Sequence, residues 1–236
     1  MKDKVTSFYK EAVGVLDVGL RKYMLNVFSY MSVGLALTAV VSYALSNSMT
    51  FMLMLFSSPV ISWIMFLVPF GISIYLTVRI ASMSAEKARW LFITFATCLG
   101  VSLSSIFMVY SSASIAYAFF VTSSMFLSMV IYGYVTEKDL TGVGSFLIMG
   151  LIGIIIASIA NIFVRSSAAE LVISIIGVVI FTGLTAYDTQ KIKSYYFDSD
   201  TAEDSEKKAI FGALQLYLDF INLFLYALRF LGVRRD

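Results

Sequence analysis

Between Tyr23 and Val78 the chain carries no charged residue, and a second uncharged run extends from Trp90 to Thr136. Each run has room for two membrane helices, because one span takes about 20 apolar residues. In the first run the polar break Ser46-Asn47-Ser48 and the pair Ser57-Ser58 mark the turn. The spacing therefore predicts helices over Met24 to Ser46 and Pro59 to Val78, with Pro59 opening the second. The second run divides near Tyr110-Ser111-Ser112. Three more apolar stretches follow: Leu140 to Val164, Leu171 to Gln190, and Ala209 to Leu231 with Asp219 in its middle. The pattern predicts an all-α integral membrane protein of seven transmembrane helices, with residues 1–22 as a cytoplasmic N-terminal segment and 23–236 as one membrane domain.

Composition sharpens this. The chain is 59% hydrophobic and 14% charged, against about 45–50% and 25% in soluble domains, so the lipid bilayer is its expected partner. A net charge of +2 is too small to argue for nucleic acid. The absence of histidine removes Ser-His and Cys-His nucleophile pairs, His-bearing zinc sites and the usual neutral-pH proton shuttle. The single Cys98 excludes an intrachain disulfide and reads as a small buried hydrophobe. Acidic residues interleave with the lysines before Tyr23, which argues against a cleavable signal peptide.

Positive charge sets orientation. With the N-terminus in the cytoplasm, that face also collects Arg79, Lys87 and Arg89, then Lys138, then Lys191, Lys193, Lys207 and Lys208. Arg165 falls opposite, as do Arg229, Arg234 and Arg235 if the seventh helix crosses. Those last arginines leave two readings, a full seventh crossing or a re-entrant helix that returns. The apolar length of Ala209 to Leu231 favours the crossing.

Ionisable residues at membrane depth mark the working parts of such a chain. Asp219 lies about 16 Å along the helix from Lys208, and Gln215, Asp219 and Asn222 share one helix face. That stripe either serves function or glues the helix to its neighbours. Asp188 ends the sixth helix, where the helix dipole disfavours an anion; with Lys191 and Lys193 it could equally form an interfacial ion cluster. Both aspartates belong to the cytoplasmic half. If they meet, two carboxylates in low dielectric cannot both ionise easily and share a proton, which makes a pH switch without histidine. Unprotonated, they offer the hard oxygen ligands Ca²⁺ prefers. Meeting requires tilt, a broken helix or late membrane entry of the seventh helix. Arg79 is a candidate counter-ion, or simply a snorkelling charge. The acidic stretch Asp198 to Glu206 fails as an EF-hand, having Glu203 where glycine is needed and Ala209 where glutamate is needed, and reads as a solvated loop. Gly150 with Gly153, and Ala157 with Ala160, read as sites of close helix contact.

Several stretches together resemble the Bax inhibitor-1 (transmembrane Bax inhibitor motif) family in its bacterial form. They are Tyr30 to Thr38, Leu103 to Phe107, Thr122, Tyr132-Gly133-Tyr134 and Gly144 to Gly153. The most specific are Gly183-Leu-Thr-Ala-Tyr-Asp188-Thr-Gln-Lys-Ile-Lys193 and Leu216-Tyr-Leu-Asp219-Phe-Ile-Asn-Leu-Phe224. The resemblance implies six helices around a central seventh and a pH-sensitive calcium leak across the membrane. It implies that Asp188 and Asp219 form a hydrogen-bonded latch over the pore, with an arginine of the second helix, here Arg79, as partner. Ca²⁺ would be the transported ion, with no resident cofactor. The lysine-rich tail of animal members is missing from the sequence, which points to a bacterial inner (cytoplasmic) membrane. Some bacterial relatives instead bind and modulate a membrane-bound AAA protease, an alternative to conduction. An enzyme is not expected. An intramembrane aspartyl protease would need Gly-x-Gly-Asp where Asp219 follows Leu216-Tyr-Leu, and a retinal protein would need a lysine in the seventh helix.

Overall fold

Among the described residues, seven helices are long and apolar enough to cross a bilayer. The computed structural model describes the backbone of residues 2–233 and the side chains of residues 18–233 other than residue 56. The helices are α1 (Lys2–Ser46), α2 (Met49–Ser57), α3 (Pro59–Arg79), α4 (Ala85–Leu103), α5 (Ile106–Val109), α6 (Ser112–Val135), α7 (Thr141–Val164), α8 (Ser167–Lys193) and α9 (Ala202–Leu231), with a 3₁₀ turn over Ile80–Ser82. No strand occurs among the described residues. The spans are α1, α3, α4 and α6 to α9, so the protein is an all-α membrane protein. Lys2, Lys4, Lys10, Arg234 and Arg235 lie outside the described side chains.

Ahead of α3, two elements differ from the expected pattern. Helix α1 runs through residue 22 without a break. The stretch after Asn47 forms α2, capped by Ser48, whose side chain accepts from the Phe51 amide at 3.3 Å. Its end is tied to α3 by Ser62, which donates to the Leu55 carbonyl at 2.7 Å.

Helix α9 is the axis of the bundle. In its apolar window 67% of residues are buried, against 11% in α7. Helices α1, α4, α6 and α8 pack directly on it, while α3 leans mainly on α4 and α7 on α8. Leu214, Leu216, Tyr217, Leu223 and Leu228 of α9 are all buried in the core. Outward-facing Phe146, Ile152 and Phe163 of α7 are exposed, as expected of a helix that is apolar all round and meets lipid. A polar tie crosses this core. Tyr217 donates its hydroxyl to Thr38 Oγ1 at 2.6 Å, and Thr38 donates to the Ala96 carbonyl at 2.8 Å, joining α9, α1 and α4. Phe92 and Phe95 meet the Tyr217 ring edge-on.

Pro69 lies inside α3. Having no N–H, it leaves the Met65 carbonyl, four residues earlier, without its helical donor. Ser102 of α4 supplies one instead, its hydroxyl lying 2.5 Å from that carbonyl. In hydrocarbon, where water cannot stand in, a neighbouring side chain must satisfy such a group. Ser102→Ala should therefore lower stability by about 1–2 kcal/mol, read as a lower melting temperature of the purified protein; an unchanged melt would mean the carbonyl finds another donor.

The C-terminal end of α9 settles the seventh crossing. The Gly232 amide bonds to the Leu228 carbonyl at 2.8 Å, and the Val233 amide bonds to Ser114 Oγ at 3.1 Å. That contact is at the α5–α6 turn, the opposite end of the bundle from Lys208. At about 45 Å, α9 traverses the whole bundle. The small-residue pairs divide. An added Cβ on Gly150 would stand 3.0 Å from Ile180 Cδ1, but Gly153 has nothing within 4 Å, and Ala157 and Ala160 are exposed. Those three point away from any neighbour, and periodicity alone does not say which face of a helix meets one.

Candidate functional site: the carboxyl pair between α8 and α9

Glycine sets how α8 and α9 meet. An added Cβ on Gly212 would lie 2.8 Å from Ile192 Cγ2, and one on Gly177 would lie 2.6 Å from the Tyr226 ring. These contacts fix the antiparallel register. Helix α9 begins at Ala202, so its first turns project about 15 Å past the level of Ile192. This late entry removes the depth mismatch between the aspartates: Asp188, near the end of α8, lands opposite Asp219, well inside α9.

There the two carboxyl groups interact directly. Asp219 is 6% exposed and Asp188 half-buried. Asp219 Oδ2 is buried without a donor to accept from. Two ionised carboxylates are acceptors only, so a hydrogen bond between them needs one proton shared by the pair.

The surroundings are few and specific. Lys191, one turn along α8, acts on Asp188 as the neighbouring cation, and its Nζ stands 5.6 Å over the Tyr187 ring. Tyr195, just past α8, faces Gln215, Lys191 and Asp188; burial pushes its phenol up, so it stays a hydroxyl. Gln215 is thus part of the site, with its Oε1 buried and unpartnered. Asn222 is not drawn in: its amide donates to the Leu218 carbonyl of its own helix at 2.8 Å. Nor is Arg79, the expected counter-ion. Its side chain is exposed at the end of α3, a helix that touches α9 at only a few points, and Lys191 is the cation beside the pair.

The rest of the Asp188 segment holds the site still. Gln190 clips the α6–α7 loop, accepting from the Leu140 amide at 2.9 Å and donating to the Lys138 carbonyl at 2.8 Å. Lys193 donates to the Tyr134 carbonyl at 3.1 Å. Tyr187 packs where Gly144 has no side chain, an added Cβ lying 2.6 Å from its Cγ.

The expected acidic loop is half helix. Glu203, Asp204 and Glu206 belong to the first turns of α9, where the helix dipole favours anions. Thr201 caps it, accepting from the Asp204 amide at 3.1 Å and donating to Asp204 Oδ2 at 2.8 Å. Glu206 accepts from Tyr30 of α1 at 2.6 Å and pairs with Arg89 of α4, while Lys208 reaches Asp200 at 2.7 Å. The projecting end of the central helix is thereby strapped to two neighbours.

A family model described as Inhibitor of apoptosis-promoting Bax1 matches residues 20–236. The chain belongs to the Bax inhibitor-1 family. It is similar to an uncharacterized protein of Borreliella burgdorferi, 48% identical over 216 residues that cover 91% of this chain and 93% of the relative. It is also similar to the inner membrane protein YbhL of Escherichia coli, 46% identical over 219 residues, 92% of this chain and 94% of that protein. The two segments that carry the Bax inhibitor-1 resemblance most specifically are the two that face each other across the α8–α9 interface. Sequence reasoning placed Lys191 beside Asp188 as the cation of an interfacial ion cluster, but missed Tyr195 and Gln190 as members of this site, and missed the Glu206 strap. The pattern Thr201-x-x-Asp204, a capping box, was the available signal that α9 starts ahead of Lys208; nothing in the sequence pattern singles out Tyr195.

Proposed function

We propose that this Bax inhibitor-1 family membrane protein is a pH-sensitive calcium leak of a bacterial inner membrane, with its N-terminus in the cytoplasm and no catalytic role. The observation that carries the reading is the pairing of Asp188 with Asp219 on the central helix. With a proton between them, the two carboxyls lie side by side across the α8–α9 interface without repulsion. Loss of that proton leaves two like charges side by side in low dielectric, so the interface loosens and α9 shifts. The oxygens then exposed suit Ca²⁺, although two carboxylates are fewer than its usual 6–8 oxygen ligands. Water and backbone carbonyls would complete the shell of an ion in transit. The inner membrane rests on the likeness to YbhL and the orientation on the distribution of lysine and arginine.

The test is Ca²⁺ entry into dye-loaded proteoliposomes across a range of pH. Wild type should show a pH-dependent leak. Asp219→Asn cannot carry the second charge and should conduct at a level that no longer changes with pH. Indistinguishable pH profiles would sink the mechanism, and absence of flux in wild type would leave the non-conducting alternative, binding to a membrane AAA protease, as the reading to pursue.

A further inference from the structure

A cavity of about 800 Å³ lies away from the carboxyl pair, between α1, α4 and the α8–α9 connection. Its wall on α1 extends from Gly19 to Leu37, about 27 Å along the helix. Its polarity changes along that length. The end at the α8–α9 connection carries Lys22, Asn26, Arg89, Asp198 and Glu206; the other end is Val33, Gly34, Leu37 and Phe92. Polar at the membrane edge and apolar towards the interior, it has the profile of one leaflet of a bilayer. Val33, at the apolar end, is 59% exposed, so the cavity is open on the lipid side.

The charges at the mouth are not equally available. Arg89 and Glu206 satisfy each other, and Asp200, also on the wall, is held by Lys208. Lys22 has no hydrogen-bond or ion-pair partner among the described residues, and its side chain is exposed. Among the described residues, Asp198 accepts only the Tyr196 hydroxyl, at 3.2 Å, and has no cation. Among the described residues, one unpaired cation and one carboxylate lacking a cation therefore face one mouth. That pair of charges complements a zwitterion that carries a phosphate and an ammonium. The adjoining apolar groove complements an acyl chain, and basic pockets between spans at the membrane edge hold lipid headgroups elsewhere.

We propose that this cavity binds one phospholipid with a phosphoethanolamine head, its phosphate on Lys22, its ammonium on Asp198 and its acyl chain along Val33 to Leu37. A phosphatidylglycerol head offers the phosphate but no ammonium. A soluble glycerophosphoethanolamine offers the head but no chain. Each lacks half of what the cavity recognises.

The experiment is native mass spectrometry of the full chain in detergent, titrated with phosphatidylethanolamine, with phosphatidylglycerol, and with soluble glycerophosphoethanolamine as competitor. Wild type should retain one phosphatidylethanolamine per chain, at least about fivefold more tightly than phosphatidylglycerol. Lys22→Ala should weaken that retention about fivefold or more, with Lys22→Arg restoring most of it. Val33→Trp, which plugs the apolar end, should weaken it similarly. Asp198→Asn should erase the preference over phosphatidylglycerol. All three positions are at exposed sites, so each variant should keep the wild-type melt by circular dichroism. Equal retention in Lys22→Ala and Val33→Trp would overturn the proposal, as would equal binding of the two lipids to wild type. Competition by the soluble head as strong as by the intact lipid would overturn the acyl-chain half.

Discussion

Gly133→Ala should lower the stability of the folded bundle by about 3 kcal/mol. Gly133 lies on α6 where it crosses α8. An added Cβ would stand 2.9 Å from both the Cα and the carbonyl carbon of Ala186, and closer still to its oxygen. These are backbone atoms and cannot rotate aside, so the two helices must part by about 1 Å to reach the 3.3–3.6 Å of a tolerable carbon–oxygen contact. Parting them also pulls at the Lys193–Tyr134 bond and at the stretch of α8 that presents Asp188. Gly153→Ala is the matched control. With nothing within 4 Å of an added Cβ, it should be neutral or stabilising by up to about 1 kcal/mol through the lower backbone entropy of alanine in a helix. Thermal unfolding of both variants in one detergent checks the pair, and equal melts would mean that the α6–α8 crossing yields more easily than its backbone contact implies.

Asp219→Leu should move stability the other way, upward by about 1–3 kcal/mol, while removing any pH response of the leak. The carboxyl is buried with Oδ2 unpartnered, and replacing such a group by an apolar one of similar size relieves its desolvation. Asp188 keeps Lys191 beside it, so the substitution does not strand a second charge. The measurement separates function from glue. If the Gln215, Asp219 and Asn222 stripe existed only to hold helices together, the leucine variant would melt lower than wild type. A rise in melting temperature with loss of pH response is the signature of a group kept for its work at a cost in stability.

Much of the architecture is legible in the sequence because the bilayer imposes a coarse code. Uncharged runs and serine-rich breaks place the spans, and the Asp188 and Asp219 segments single out the pair before any coordinate is known. What is not legible depends on which face meets which. Gly150 and Gly153 look alike on paper, yet one lies by Ile180 and the other meets nothing within 4 Å. Lys208 looks like the membrane edge, but α9 begins earlier because its first turns find a hydroxyl donor on α1 and ion partners on α4 and the preceding loop. Pro69 is visible in the sequence, whereas its remedy, Ser102, comes from another helix. Arg79 is basic and near in the chain order of spans, but α3 stands off the axis.

The central position of α9 bears on how the protein is made. A segment carrying an aspartate near mid-depth inserts poorly by itself, the charge alone costing about 2.5–3.5 kcal/mol. It also follows the other six spans in chain order. Six more lipid-tolerant helices are already in place by then, and the polar residues of the seventh find their partners only among them. Membrane insertion of α9 and closure of the tertiary structure are therefore one event, and a chain interrupted before Ala202 would present the translocon with a ring that has no axle.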